Sequence, residues 1–239
     1  MTDQATSGTD GAAPGELVGV SSAGHDSGAA DRARRPSRDA DGLLARDPAA
    51  GPERVERIAG AGKGGAGLLT CLKTLGYSAA AKGWQMAYTS DYNPETRGGL
   101  VEGTLVLSSS EPIDNPVIDS FTAIMAFDLD AYESYGPRLE PGGTILWDSS
   151  KIFSPPPVPG TLSYGIPIFR LASDAGAPRL ANMAMLGLFN RLLGLFTVDE
   201  LIAGMESYLP VWRHKLIPGN RQVLETVSRM DVERYRVDT

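Results

Sequence analysis

The chain has 239 residues, enough for one large domain or two small ones, and its 42% hydrophobic and 21% charged content is that of a water-soluble globular protein. A net charge of −7 and a pI near 4.9 argue against a general nucleic-acid or anionic-membrane surface, but a local anion pocket needs only a few N–H groups and one or two cations. The single cysteine, Cys71, excludes an intrachain disulfide, and one thiol cannot hold an iron–sulfur cluster or a cysteine-rich zinc site; such usage suits a reducing cytoplasm.

The chain starts without the basic and apolar regions of a signal peptide. Residues 1–52 are rich in Gly, Ala, Ser, Asp and Arg and nearly devoid of large apolar side chains, so they cannot offset their ordering entropy and are expected to be a disordered tail. The cluster Arg32, Arg34, Arg35 and Arg38 in it is either a docking patch or, favoured by the interspersed Asp31, Asp39 and Asp41, a solvated charged stretch.

From Arg54 the texture becomes that of one α/β domain, residues 53–239. Val55 to Ala59 read as a short buried strand that breaks into a glycine-dense turn from Gly60 to Gly67. Ala66 to Lys82 follow as a helix with Leu68, Leu72, Leu75 and Ala79 on one face, ended by Gly83. Strands are expected at Trp84 to Thr89, Leu100 to Ser108, Thr122 to Phe127 and Thr144 to Trp147, with a helix from Ala131 to Leu139 capped by Asp128 or Asp130. A proline-stiffened loop runs from Ser154 to Gly160. A last strand, Ile166 to Leu171, precedes helices at Arg179 to Leu193, Val198 to Leu209 and Asn220 to Met230. The longest apolar stretch, Met183 to Phe196, contains Asn190 and Arg191 and is too short to span a bilayer; its methionines and leucines read as helix core. Strands alternating with helices imply a mainly parallel sheet with helices on both faces and a ligand beyond the strands' carboxyl ends.

A strand that ends in glycines at the mouth of a helix can receive an anion on free backbone N–H groups. Gly60, Gly62 and Gly65 fit the dinucleotide pattern G-x-G-x-x-G, which also wants an acidic residue about 20 positions on; the one candidate, Asp91, lies too far along. Gly62, Gly64, Gly65 and Gly67 fit G-x-G-G-x-G instead. A nucleotide P-loop fails because Lys63 is followed by Gly64. A second signature, Tyr92 to Gly99, sets Glu95 and Arg97 around Thr96 before Gly98-Gly99, where the arginine could hold a phosphate or carboxylate bidentately or simply pair with Glu95. His25 and His214 have neither nucleophile nor orienting partner in the sequence, so no catalytic residue and no metal site is expected in this chain.

The glycine loop, the helix of this length, Gly83-Trp84 and Tyr92-x-Pro94-Glu95-x-Arg97-Gly98-Gly99 together resemble the gamma subunit of 2-oxoacid:ferredoxin oxidoreductases, the group acting on pyruvate, 2-oxoglutarate, 2-oxoisovalerate and indolepyruvate. The resemblance continues through Pro141-Gly142-Gly143 and Ala181-Asn182-Met183 to about Met230. Ala66 stands where the family has Gln, and Asn93 where it has Gly. The resemblance implies a single Rossmann-like α/β domain that is inactive alone. Thiamine diphosphate, magnesium and iron–sulfur clusters would sit on partner subunits and ferredoxin would accept the electrons. This chain would share a coenzyme A site built from Gly62, Lys63, Gly64, Gly65 and Gly67, supported by Arg97, Gly98, Gly99 and Asn182. Two other readings are a free-standing NAD(P)-binding dehydrogenase based on Gly60, Gly62 and Gly65, and a non-catalytic scaffold of the same fold.

Overall fold

A computed structural model describes residues 53–92 and 100–237. The expected tail, residues 1–52, and most of the second signature, residues 93–99, lie outside the described residues. Among the described residues seven strands form one sheet in the order β2-β3-β1-β4-β5-β6-β7, comprising β1 (Val55–Lys63), β2 (Gln85–Tyr92), β3 (Leu100–Ser108), β4 (Phe121–Ala126), β5 (Leu139–Asp148), β6 (Leu162–Ile166) and β7 (Arg236–Val237). Strands β1, β4, β5 and β6 are parallel neighbours; β3 runs antiparallel between β1 and β2, and β7 antiparallel beside β6. The sheet is therefore mainly parallel by strand direction, with a reversed strand on either side of its parallel centre.

Six α-helices among the described residues cover it unequally: α1 (Leu68–Ala81), α2 (Leu129–Tyr135), α3 (Ile168–Asp174), α4 (Ala181–Leu193), α5 (Val198–Tyr208) and α6 (Ile217–Ser228). One face carries the larger core, where Leu68, Leu72, Leu75 and Ala79 of α1 meet Leu105 and Leu107 of β3 and the apolar sides of α4, α5 and α6. Helix α4 is buried continuously from Met183 to Asn190, as expected of a helix enclosed by neighbours on all sides. On the opposite face a smaller core joins Ala59, Ala61, Ile124 and Ala126 to Tyr132 and Tyr135 of α2. The alanines of β1 leave room there for the two tyrosine rings.

Local signals end the elements. Helix α1 stops at Lys82, after which Gly83 turns left-handed at φ 79° and the Trp84 N–H reaches back to the Ala79 carbonyl. Helix α5 starts on a reciprocal cap in which the Glu200 N–H donates to Thr197 Oγ1 (3.2 Å) and the Thr197 N–H donates to Glu200 Oε2 (2.7 Å). Lys82 then ties the end of α1 to Glu200 at 2.9 Å.

Several expectations need correction. Strand β1 extends through Gly60 and Gly62 to Lys63, because β3 pairs with it along that whole length, so the turn begins only at Gly64. The strand expected at Ile166 to Leu171 is instead β6, ending at Ile166; Pro167 cannot supply a ladder N–H, and α3 begins behind it. The helix expected at Ala131 to Leu139 is α2, ending at Tyr135, and the strand expected from Thr144 is β5, which starts at Leu139 and shifts register against β4 between Phe121 and Ala123.

Candidate functional site

Strand β1 leads to α1 on one face of the sheet, and β4 leads to α2 on the other. Their carboxyl ends therefore flank the crevice where α/β sheets take their ligands. Gly62 closes its floor: a Cβ there would lie 2.5 Å from Phe127 Cβ, so no larger residue fits without moving the strand end. Beyond it Lys63, Gly64 and Gly65 are exposed, and Gly65 and Gly67 hold left-handed φ angles of 90° and 81° that other residues adopt only under strain.

Gly67 is the residue that starts α1. It has no side chain to cap the first turn, so the amides of Leu68 and Leu69 lack the usual cap partner, and the helix dipole adds positive potential there. Asn182, at the start of α4, stands against this point: a Cβ on Gly67 would meet Asn182 Nδ2 at 2.6 Å. Cys71 lies behind, its thiol donating to the carbonyls of Asn182 (3.3 Å) and Gly67 (3.5 Å). Burial pushes that thiol up to about 12, so it is a protonated packing group.

Asp128 is the part of the site the sequence only half revealed. Its Oδ1 accepts the Ala131 N–H (2.9 Å) as the expected cap of α2, and its Oδ2 accepts the Lys63 N–H at 2.6 Å. The carboxylate thus fixes the exit of β1 and consumes one amide of the glycine segment. The donors left for a ligand lie further on, at Gly64, Gly65 and the first turn of α1. Only the Lys63 side chain, and not its amide, remains a candidate contact.

The structure brings Gly62, Lys63, Gly64, Gly65, Gly67 and Asn182 together. Arg97, Gly98 and Gly99 lie outside the described residues, but the chain on either side of them is anchored beside the loop, since Leu100 pairs with Lys63 and Tyr92 pairs with Val101. His214 is elsewhere, its Nε2 bonded to the Leu209 carbonyl at 3.0 Å. Among the described residues no three of His, Cys, Asp and Glu gather closely enough to hold a metal ion, and no helix is long and apolar enough to cross a membrane.

The neighbour of β1 bears on the dinucleotide alternative. In that fold a parallel strand beside β1 ends in the acidic residue that binds the ribose. Here one neighbour is antiparallel β3, which presents its amino end to the loop, and the parallel neighbour β4 leads into Asp128, whose two carboxylate oxygens are taken by the Lys63 and Ala131 amides. The acidic residue of β3 at that level, Glu102, accepts the Tyr135 hydroxyl on the face opposite α1.

Comparisons with known proteins bear on the family and the fold. Residues 57–229 match the family described as pyruvate ferredoxin/flavodoxin oxidoreductase. The ketoisovalerate oxidoreductase subunit VorA of Methanothermobacter marburgensis is 32% identical over 187 residues, 75% of this chain and 37% of that protein. The 2-oxoglutarate synthase subunit KorC of Methanocaldococcus jannaschii is 32% identical over 153 residues, 62% of this chain and 81% of that protein. The chain therefore spans little more than a third of VorA but most of KorC. Among solved structures, the gamma subunit of a keto/oxoacid ferredoxin oxidoreductase from Geobacter sulfurreducens superimposes with a TM-score of 0.64 at 22% identity, covering 77% of this chain and 99% of that one. A 2-oxoglutarate:ferredoxin oxidoreductase from Magnetococcus marinus, solved with 2-oxoglutarate, coenzyme A and succinyl-CoA bound, gives 0.63 at 22% identity, over 75% of this chain and 32% of that one. The chain belongs to the pyruvate ferredoxin/flavodoxin oxidoreductase family, and its fold is that of the family's gamma subunits.

Proposed function

We propose that this chain is the gamma-type subunit of a cytoplasmic 2-oxoacid:ferredoxin oxidoreductase and that its glycine loop receives phosphates of coenzyme A. The observation that carries the reading is the crevice between β1 and β4, where left-handed Gly65 is exposed and left-handed, half-buried Gly67 begins α1 without a side-chain cap, beside the Asn182 amide. These groups suit an anion: they are backbone donors at a helix N-terminus, with the Lys63 ammonium nearby. Coenzyme A would supply the thiol that takes the acyl group, while this chain orients it by holding the phosphates. Asp128 sets the loop's exit and, as a fixed negative charge, disfavours an anion on the α2 side of the crevice.

The remaining chemistry is assigned to partner chains, as the family resemblance implies. This chain's one cysteine is buried against α4, so clusters would have to be borne by other subunits, as would thiamine diphosphate and magnesium. The reaction is then oxidative decarboxylation of a 2-oxoacid on a partner chain, with electrons leaving to ferredoxin and acyl-CoA as product. Co-expression with a thiamine-diphosphate-binding chain and a cluster-bearing chain from the same source tests the assignment. A single hetero-oligomer on size-exclusion chromatography is expected, and a gamma-type chain that always elutes alone overturns it. The antiparallel β3 weighs against a nicotinamide dehydrogenase, which would show itself as tight NAD(P) binding by the isolated chain.

A further inference from the structure

We propose that the arginine cluster Arg32, Arg34, Arg35 and Arg38 docks, within the same chain, on the open acidic face of the β2–β3 hairpin. One face of that hairpin is covered by α1. On the other, α2 packs chiefly over β1 and β4; Asp91 is exposed there and Thr89, Glu102 and Thr104 are half-buried, while Val106 further along β3 is buried. A cleft of about 330 Å³ lies there, lined by Thr89, Ser90, Asp91, Glu102, Thr104 and Tyr135.

The cleft has an electrostatic deficit. Asp91 and Glu102 are directly opposite in the β2–β3 register, and like charges in that position destabilise a sheet. Tyr135 donates its hydroxyl to Glu102, and burial together with that carboxylate holds the phenol well above its ordinary pKa, so it stays a neutral donor. No ion pair among the described residues engages either carboxylate. The neighbouring Arg138 is committed elsewhere: its guanidinium stacks on Phe121 and Tyr135 and donates to the carbonyls of Ile118 and Asp119. Asp130 and Glu133 of α2, both exposed, add negative charge on the same side of the sheet. The face calls for a cation with several N–H donors.

The tail supplies one. Residues 32–38, RARRPSR, carry four guanidinium groups in seven residues, within a chain of net charge −7. Guanidinium forks match carboxylates bidentately, and their planes can lie on the Tyr135 ring. The reach is adequate. Glu102 is level with Ala61, seven residues along β1 from Arg54 and one strand across, a span of roughly 25 Å. Fifteen residues lie between Arg38 and Arg54; sixteen Cα–Cα steps would cover about 22 Å as a random coil and about 55 Å fully extended. A linker whose average length matches the span gives the tethered cluster an effective concentration of order millimolar. Docked there, the tail lies beside the β1–β3 ends that carry the glycine loop, since Val101, next to Glu102, pairs with Gly62.

Limited trypsin digestion of the full chain at low ionic strength, followed by mass spectrometry, tests this at Arg34 and Arg38. Cleavage is expected to be about fivefold to tenfold slower in the wild type than in Asp91→Asn/Glu102→Gln, with the protection lost at about 0.5 M salt. A second variant leaves the folded domain untouched: Arg32, Arg34, Arg35 and Arg38 all changed to Ala. It should speed hydrogen exchange of the Thr89–Asp91 and Val101–Thr104 amides relative to the wild type. Equal tail cleavage in wild type and carboxylate variant, or exchange unaltered by the arginine changes, overturns the proposal. So does protection that arises only when partner subunits are added, which would assign the face to them.

Discussion

Gly64→Asp separates anion binding from folding. Gly64 is exposed and not left-handed, and a Cβ there meets only Val101 Cγ2 at an ordinary 3.5 Å, so stability should change by less than about 0.5 kcal/mol. Gly65, at φ 90°, is a poorer choice because any side chain there strains the backbone whatever its charge. A carboxylate about 5 Å from a bound phosphate repels it by about 0.8 kcal/mol in bulk water and about 3 kcal/mol at an effective dielectric near 20. For an exposed loop the lower half of that range applies, roughly 1–2 kcal/mol, or a fivefold to thirtyfold rise in the coenzyme A concentration at half-saturation. The assay is the assembled complex with saturating 2-oxoacid and a dye acceptor, titrated with coenzyme A at low salt. Gly64→Asn serves as the neutral control. Pantetheine, which lacks the phosphates, should be used equally well by all three proteins. An identical coenzyme A response in Gly64→Asp and wild type would remove the loop from the site.

Other consequences concern the scaffold. Gly204→Ala should lower the melting temperature by roughly 5–10 °C, because its Cβ would fall 2.6 Å from the Ser78 backbone nitrogen where α5 crosses α1, an overpacking cost of about 2–3 kcal/mol; an unchanged melt refutes the close crossing. Glu140 accepts Arg57 at 2.7 and 2.8 Å, and that bonding, then the Ser120 hydroxyl, holds its pKa below the ordinary carboxylate value. The stability it contributes is therefore complete above the unfolded pKa near 4.3 and is lost as pH falls through the lower folded value. Glu140→Gln should accordingly show a shallower acid limb below about pH 5, by at most about 1 kcal/mol for so exposed a pair, and parallel curves would contradict this. Cys71 should resist iodoacetamide at about pH 8 until the chain is unfolded in concentrated guanidinium; rapid alkylation of the native protein would show the thiol to be accessible.

How much of this was legible in the sequence depended on whether the signal was local. The apolar stripe of α1, its glycine stop at Gly83 and the buried run of α4 are written in spacing, and all three stand. The length of β1 was not, because what keeps Gly60 and Gly62 in strand conformation is β3, a partner about forty residues away. The α3 helix was hidden for a similar reason: Ile168 to Leu171, three apolar residues interrupted by Arg170, is too short for periodicity to tell helix from strand. At the site, the glycines announced themselves, and Asp128 was readable as a cap. Its second bond, to the Lys63 amide, arises only when the ends of β1 and β4 are laid side by side. Asn182 entered through resemblance alone, and no spacing rule links it to Gly67, 115 residues earlier.

The most direct test of the central claim is coenzyme A-dependent reduction of ferredoxin by the reconstituted complex, measured with and without this chain. The account predicts that the thiamine-diphosphate and cluster subunits alone fail to couple 2-oxoacid oxidation to acyl-CoA formation. Adding the wild-type chain should restore saturable dependence on coenzyme A, and adding Gly64→Asp should restore it only at higher coenzyme A. Full turnover with the same coenzyme A dependence in the absence of this chain would contradict it.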